Sequence, residues 1–209
     1  MNFLELIHEN YIHGRRVSAL CNNISPLLLQ NWHMLDIGTG DGLLASKLMQ
    51  MRPDIDIKGI DISIRNRTHI PVKTFDGREI PYKDSSFNAV TFIDVLHHID
   101  DPVPLLHEAM RVATEAIIIK DHLLSGFLAR ATLRFMDDLS NIRYKVPLVY
   151  NYWPWQKWNE VIESMGLTID AWNENLGLYP WPFNLIFDRS LHFITRILLN
   201  KTPSAKQYL

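Results

Sequence analysis

The stretch LDIGTGDG, residues 35 to 42, constrains this chain more than any other. The run Met34 to Ile37 reads as a β-strand, and it passes straight into glycines at alternate positions, Gly38, Gly40 and Gly42. Lacking Cβ atoms, such a turn can reverse sharply and let a ligand lie against bare peptide groups. A helix expected to open near Asp41 adds its free N–H groups beside the turn. Spacing narrows the choice of ligand. A dinucleotide fingerprint needs a third glycine where Leu43 stands, and no Gly-Lys-Ser/Thr follows as a triphosphate loop requires. The pattern is D-x-G-x-G-x-G from Asp36, with a second strand, Ile55 to Ile62, ending at Asp61. A carboxylate there can accept hydrogen bonds from both ribose hydroxyls of an adenosine, and a loop without basic residues suits a ligand without phosphates. The plain alternative is a tight strand-to-helix turn.

Further along, strands and helices alternate without internal repeats. Strand three, Val72 to Phe75, follows strand two after only about ten residues, fewer than a helical crossover needs, so the second helix is expected to be shortened or replaced by a loop. Strand four, Ala89 to Val95, and strand five, Ala116 to Lys120, are nearly continuous apolar runs suited to the middle of a parallel sheet. Asp101-Pro102 starts a helix, Gly126 to Leu139 and Trp155 to Met165 read as two more, and Leu167 to Trp172 and Leu191 to Leu198 are candidate closing strands. This is the pattern of an α/β doubly wound, mostly parallel sheet. Such sheets bind ligands outside the carboxyl ends of their strands. Asp36, Asp61, Asp76, the Asp94 to His98 segment and Lys120 to His122 all fall at such ends.

LDIGTGDG, GIDIS, FDGREIPYKDSSFNAV and FIDVLHHIDDP together resemble the successive motifs of class I S-adenosylmethionine-dependent methyltransferases, in the small-molecule branch that includes the ubiquinone-pathway type. The likeness spans roughly residues 15 to 125 in motif order. It implies a seven-stranded Rossmann-like sheet, an N-terminal helical cover over residues 1–30, a cofactor-binding half over 31–125, a substrate-side half with an aromatic-rich lid over 126–200, and a frayed tail at 201–209. It implies S-adenosyl-L-methionine as cofactor, with S-adenosyl-L-homocysteine as product. The implied cofactor contacts are Asp36, Gly38, Thr39 and Gly40 at the turn, Asp61 and Ile62 at the second strand, Asp76 and Gly77 beside the adenine, and Asp94, Val95 and His97 after the fourth strand.

Methyl transfer from a sulfonium needs alignment of the nucleophile and exclusion of water, and a base only where the acceptor must shed a proton. Histidine is the natural base near neutrality, and His98 and His122 are the candidates, with Asp121 orienting a histidine or binding an acceptor amine. The competing account makes these histidines braces between loops. No metal-ligand spacing is present: His97-His98 has no partner at a telling interval, and Asp121-His122 completes a site only if the fold happens to supply one. Tyr150, Tyr152 and Trp153 offer an aromatic wall for a ring or a cationic amine, or else a hydrophobic plug.

At 209 residues the chain suffices for one well-buried domain, and a formal net charge of −2 gives no footprint for nucleic acid. The Asn-Pro-Pro-Tyr type motif of amino-group nucleic-acid methyltransferases is also missing after strand four. One cysteine, Cys21, on an apolar helix face, forms no internal disulfide, and no apolar run is long enough to span a membrane. The expectation is a cytoplasmic enzyme that methylates a small molecule, most readily at oxygen. Exposed aromatics around Tyr179 to Phe183 are a possible homodimer contact. A cofactor-binding module without turnover and a nicotinamide-dependent oxidoreductase are the rivals, the second disfavoured by Leu43.

Overall fold

The structure, a computed structural model, describes residues 14–144, 148–187 and 190–200, the side chains of 140–144 excepted. The helical stretch expected before residue 14 and the tail from 201 lie outside the described residues. Seven strands form one sheet: β1 (His33–Ile37), β2 (Asp56–Asp61), β3 (Val72–Thr74), β4 (Phe87–Ile93), β5 (Ala113–His122), β6 (Thr168–Asn173) and β7 (His192–Leu198). Their spatial order is β3-β2-β1-β4-β5-β7-β6. The first five run parallel, and β7 lies antiparallel between β5 and β6. The helices are α1 (Gly14–Ile24), α2 (Leu43–Met51), α3 (Val103–Val112), α4 (Ala129–Tyr144), α5 (Trp155–Ser164) and the short α6 (Asn184–Phe187). None of the described helices is long and apolar enough to cross a membrane.

Strand alternation divides the core into two layers. Leu35 and Ile37 of β1, Val90 and Phe92 of β4, and Ile117 and Ile119 of β5 face α3 and α5, where Leu105, Leu106, Ala109, Trp158 and Ile162 cover them. Met34, Ala89, Ala116 and Ile118 face the other way, under Val17, Leu20, Cys21 and Ile24 of α1 and Ala45 and Leu48 of α2. Cys21 is therefore core, as its place on the apolar stripe suggests. Met51 at the end of α2 is 50% exposed, and Ala45 and Leu48 take the inward places.

No helix connects β2 to β3. Ile70, 6% exposed, covers the gap: its side chain occupies the space where a Cβ on Gly42 would stand and, with Thr39, crowds the one at Gly59. The short interval thus replaces a helix with one inserted apolar side chain.

In α4 the inward stripe is Ala129, Leu133 and Asp137, one residue every four, whereas Leu128 just before it and Phe135 and Leu139 within it face solvent. A polar side chain therefore occupies the end of a buried stripe, and that placement positions the site described next.

Candidate active site

The glycine turn lies across the end of β2. Gly38 and Thr39 donate their N–H groups to the Ile60 carbonyl at 2.9 and 3.2 Å, and the Gly40 N–H donates to Asp61 Oδ2 at 2.8 Å. The three glycines have different duties. A Cβ on Gly38 would strike Val95, and one on Gly42 would strike Ile70, but a Cβ on Gly40 would enter open space. Gly38 and Gly42 thus serve packing, while Gly40 presents bare peptide to a cleft. All three have positive φ, which favours glycine. The helix begins at Leu43, later than Asp41, whose Oδ1 accepts the Leu43 N–H.

Asp61 is 8% exposed and uses one lone pair of each oxygen, for Gly40 and Ser63, so its remaining lone pairs can meet two hydroxyls. Ile62 is exposed and lies against Gly77, so the ends of β2 and β3 form one edge of the cleft. Asp76 is exposed, and its Oδ1 accepts the N–H groups of Arg78 and Glu79, an Asx turn of its own loop. Asp36 is buried behind the turn, its Oδ1 accepting the Thr91 hydroxyl at 2.6 Å. Burial pushes its carboxyl up to about 6, with the charge of Asp61 acting in the same direction.

At the ends of β4 and β5 the pleat sorts the polar residues into two groups. Lys120, fully buried on the α1 side, is paired with Asp94, which also binds Arg16 of α1. Lys120 and Arg16 hold the Asp94 carboxyl well below the usual range, against the opposing effect of burial. Asp121 faces the α3 side. Its Oδ1 meets His97 Nδ1 at 2.5 Å and its Oδ2 accepts the Leu96 N–H.

His122 is directed inward, 4% exposed. Its Nε2 is 2.9 Å from Asp137 Oδ1, and its Nδ1 is 3.1 Å from His192 Nδ1, the ring opposite it on β7. His98 is half-buried with an Nδ1 that has no hydrogen-bond partner, and burial, followed by the neighbouring His97, holds it down to about 4. The pairing expected between Asp121 and a catalytic histidine is therefore made with His97, not with the ring of His98 or His122.

The aromatic segment is anchored. Tyr152 is buried and donates its hydroxyl to Asp137. Trp153 is 4% exposed, its ring 4.8 Å from Trp158 and its Nε1 bonded to Asn151, so it belongs to the core. Tyr150 is half-buried beside Arg134 and Asp138. Trp181 and Phe183 are exposed.

Sequence reasoning missed Asp137, His192 and Arg16. No sequence signal marked them: the inward face of α4 that carries Asp137 and the antiparallel register that sets His192 opposite His122 belong to the fold. His97, His122 and Asp137 come together with donor atoms all within 4.8 Å of one another, a grouping that no sequence interval announced.

Residues 35–116 match the family model described as "Methyltransferase domain". Over that span the chain is similar to class I S-adenosylmethionine-dependent methyltransferase domains. The cofactor of this class is S-adenosylmethionine, and the glycine cradle with its acidic neighbour fits an adenosine. A curated relative, the ubiquinone/menaquinone biosynthesis C-methyltransferase of Desulfotalea psychrophila, is 33% identical over 89 residues. That match covers 38% of this chain and only 36% of the relative, so the chain spans about a third of the relative's length. Among solved structures, a chain of the Haloferax volcanii complex between the Trm112 methyltransferase activator and a methyltransferase superposes with a TM-score of 0.67 at 13% identity, over 95% of this chain and 93% of that one. A SAM-dependent methyltransferase from Aquifex aeolicus gives 0.58 at 17% identity, over 85% and 88%. At such identities the structures establish the methyltransferase fold.

Proposed function

We propose that the chain transfers a methyl group from S-adenosylmethionine to a small organic acceptor, at oxygen. The observation that carries this reading is the Gly40 N–H held 2.8 Å from the Asp61 carboxylate, with open space above Gly40. Gly38, Thr39 and Gly40 would hold the cofactor along the turn, Asp61 and Ile62 at the ribose, Asp76 and Gly77 at the adenine, and Asp94, Val95 and His97 at the end nearest the reaction. S-adenosylmethionine supplies a methyl group on an already activated sulfonium.

The chain's own residues align the acceptor and exclude water. His98, one turn beyond Val95 and with an unpartnered Nδ1, receives the hydroxyl proton of the acceptor. The oxygen grows sharply more acidic as its new bond to carbon forms, so a neutral imidazole suffices. Asp121 and His122 act from behind: Asp121 fixes His97 and the Leu96 backbone, and His122 is braced by Asp137. Tyr150 forms the accessible part of an aromatic side backed by Tyr152 and Trp153.

Calorimetry on the full chain with S-adenosylhomocysteine and with NAD tests the cofactor, and binding of the first alone is the expected result. Gly40→Val and Asp61→Ala should each weaken that binding ~100-fold or more, since charge-assisted hydrogen bonds contribute about 1.5–3 kcal/mol apiece. Unchanged affinity in both variants overturns the assignment. Labelled methyl groups recovered in cell extract from macromolecules, and not from small molecules, would overturn the acceptor class.

A further inference from the structure

We propose that His97, His122 and Asp137 form a binding site for one divalent transition-metal ion, which ties α4 to the ends of β4 and β5. The three side chains come from separate elements: the short 3-10 turn Leu96–His98 after β4, the last residue of β5, and the buried stripe of α4. All three are at least nine-tenths buried, with 3%, 4% and 6% of their surface exposed. Two imidazoles and a carboxylate make a nitrogen and oxygen donor set suited to Zn²⁺ and its first-row neighbours, and unsuited to Ca²⁺ or Mg²⁺.

The geometry is close to what such an ion demands. The Nε2 atoms of His97 and His122 lie 3.7 and 2.9 Å from the Asp137 carboxylate oxygens. Donors in a tetrahedral site with bonds of about 2.0–2.1 Å stand about 3.3 Å apart, a value that these two distances bracket. The donor atoms lie within 4.8 Å of one another, so small ring rotations bring them to coordinating range.

Each donor is also held from its far side, the arrangement that fixes tautomer and orientation around bound metals. Asp121 Oδ1 meets His97 Nδ1 at 2.5 Å, which leaves Nε2 of that ring as the ligand. His192 Nδ1 meets His122 Nδ1 at 3.1 Å, and the Tyr152 hydroxyl donates to Asp137 Oδ2. Carboxylate–histidine–metal order is thus prepared at His97. A hydrogen-bonded network accounts for His122 on Asp137 but not for the approach of His97, whose Nδ1 is held by Asp121 and whose Nε2 at 3.7 Å is too far from Asp137 for a direct hydrogen bond. His97 and His122 also belong to the proposed methyltransferase site, but metal uptake is read without turnover, so the inference stands whether or not the proposed methyl transfer is correct.

The test uses the full chain, freed of any affinity tag and stripped with a chelator, then dialysed against Zn²⁺ or Co²⁺. Elemental analysis is expected to find one ion per chain, Zn²⁺ is expected to raise the melting temperature, and Co²⁺ to give the visible d–d absorption of a low-coordinate site. His97→Gln and Asp137→Asn should each lose at least ~10-fold in metal affinity, and Asp121→Asn, which alters the far-side partner of His97, about 10–100-fold. Circular dichroism of each variant establishes that it is folded. A folded wild-type chain that takes up neither ion overturns the proposal. So does metal binding that survives unchanged in both His97→Gln and Asp137→Asn, because the ion then sits on other histidines.

Discussion

Asp36→Asn should stabilise this protein, and the gain should depend on pH. Asp36 is 6% exposed behind the glycine turn, and burial raises its carboxyl from the ordinary 3.8 to about 6. Between those values the folded chain holds a proton that the unfolded chain has released, so stability falls as pH rises through the window and is fully lost above it. The difference is about 2 pH units at 1.36 kcal/mol each, or ~3 kcal/mol at neutral pH. Asparagine has nearly the same shape, keeps an oxygen for the Thr91 hydroxyl and carries no charge to desolvate. Thermal melts of both proteins should coincide near pH 4 and separate to roughly 6–12 °C above pH about 6.5, given ~2–4 °C per kcal/mol for a chain of this size. Other titrating groups cancel in the comparison. A constant difference across that range, a variant less stable at neutral pH, or an Asp36 carboxyl carbon that titrates in its ordinary range by NMR would refute the reasoning.

The remaining expectations concern the buried ion pair and the aromatic segment. Asp94→Ala leaves Lys120 fully buried without its carboxylate and should cost ~3–5 kcal/mol in urea unfolding, whereas Lys120→Met should be far milder because Asp94 keeps Arg16; equal costs would contradict the pairing. Trp153→Ala should lower stability by ~3–5 kcal/mol, as loss of a core aromatic does. A stable Trp153 variant whose only defect is acceptor affinity would restore the residue to the substrate wall.

What could be read from the sequence was whatever depends on near neighbours. The turn after β1, the acidic end of β2 and the missing crossover helix each follow from local spacing, and the structure has them where the motifs lie. Long-range partners leave no such trace. Arg16 and Asp94 are 78 positions apart, and His122 and His192 are 70 apart. The face of α4 could not be read from hydrophobicity because its large apolar residues, Phe135 and Leu139, are outside while Asp137 is inside. An aromatic run is similarly ambiguous, since Trp153 gives the same sequence signal whether it stacks on a substrate or on Trp158.

The alternation of β5 has a consequence for how this domain closes. Lys120 and Asp121 are adjacent in sequence, yet the pleat sends one to the α1 side with Arg16 and Asp94 and the other to the α3 side with His97. A slip of one residue in β5 would put either Asp121 in the place of Lys120 or Lys120 in the place of Asp121, according to its direction, which makes its register electrostatically as well as hydrophobically specified. The two groups meet at His192, whose Nδ1 lies 3.4 Å from Lys120 Nζ and 3.1 Å from His122 Nδ1. On one side Arg16 reaches Asp94 and the Tyr179 hydroxyl, and its ion pair is 26% and 22% exposed. On the other, Asp137 binds His122 and Tyr152 in a setting almost without solvent. An ion pair with water access exchanges its partners for solvent at small cost, whereas a buried one does not. Of the two covers over the strand ends, the α1 side is tied by the more solvent-accessible ion pair.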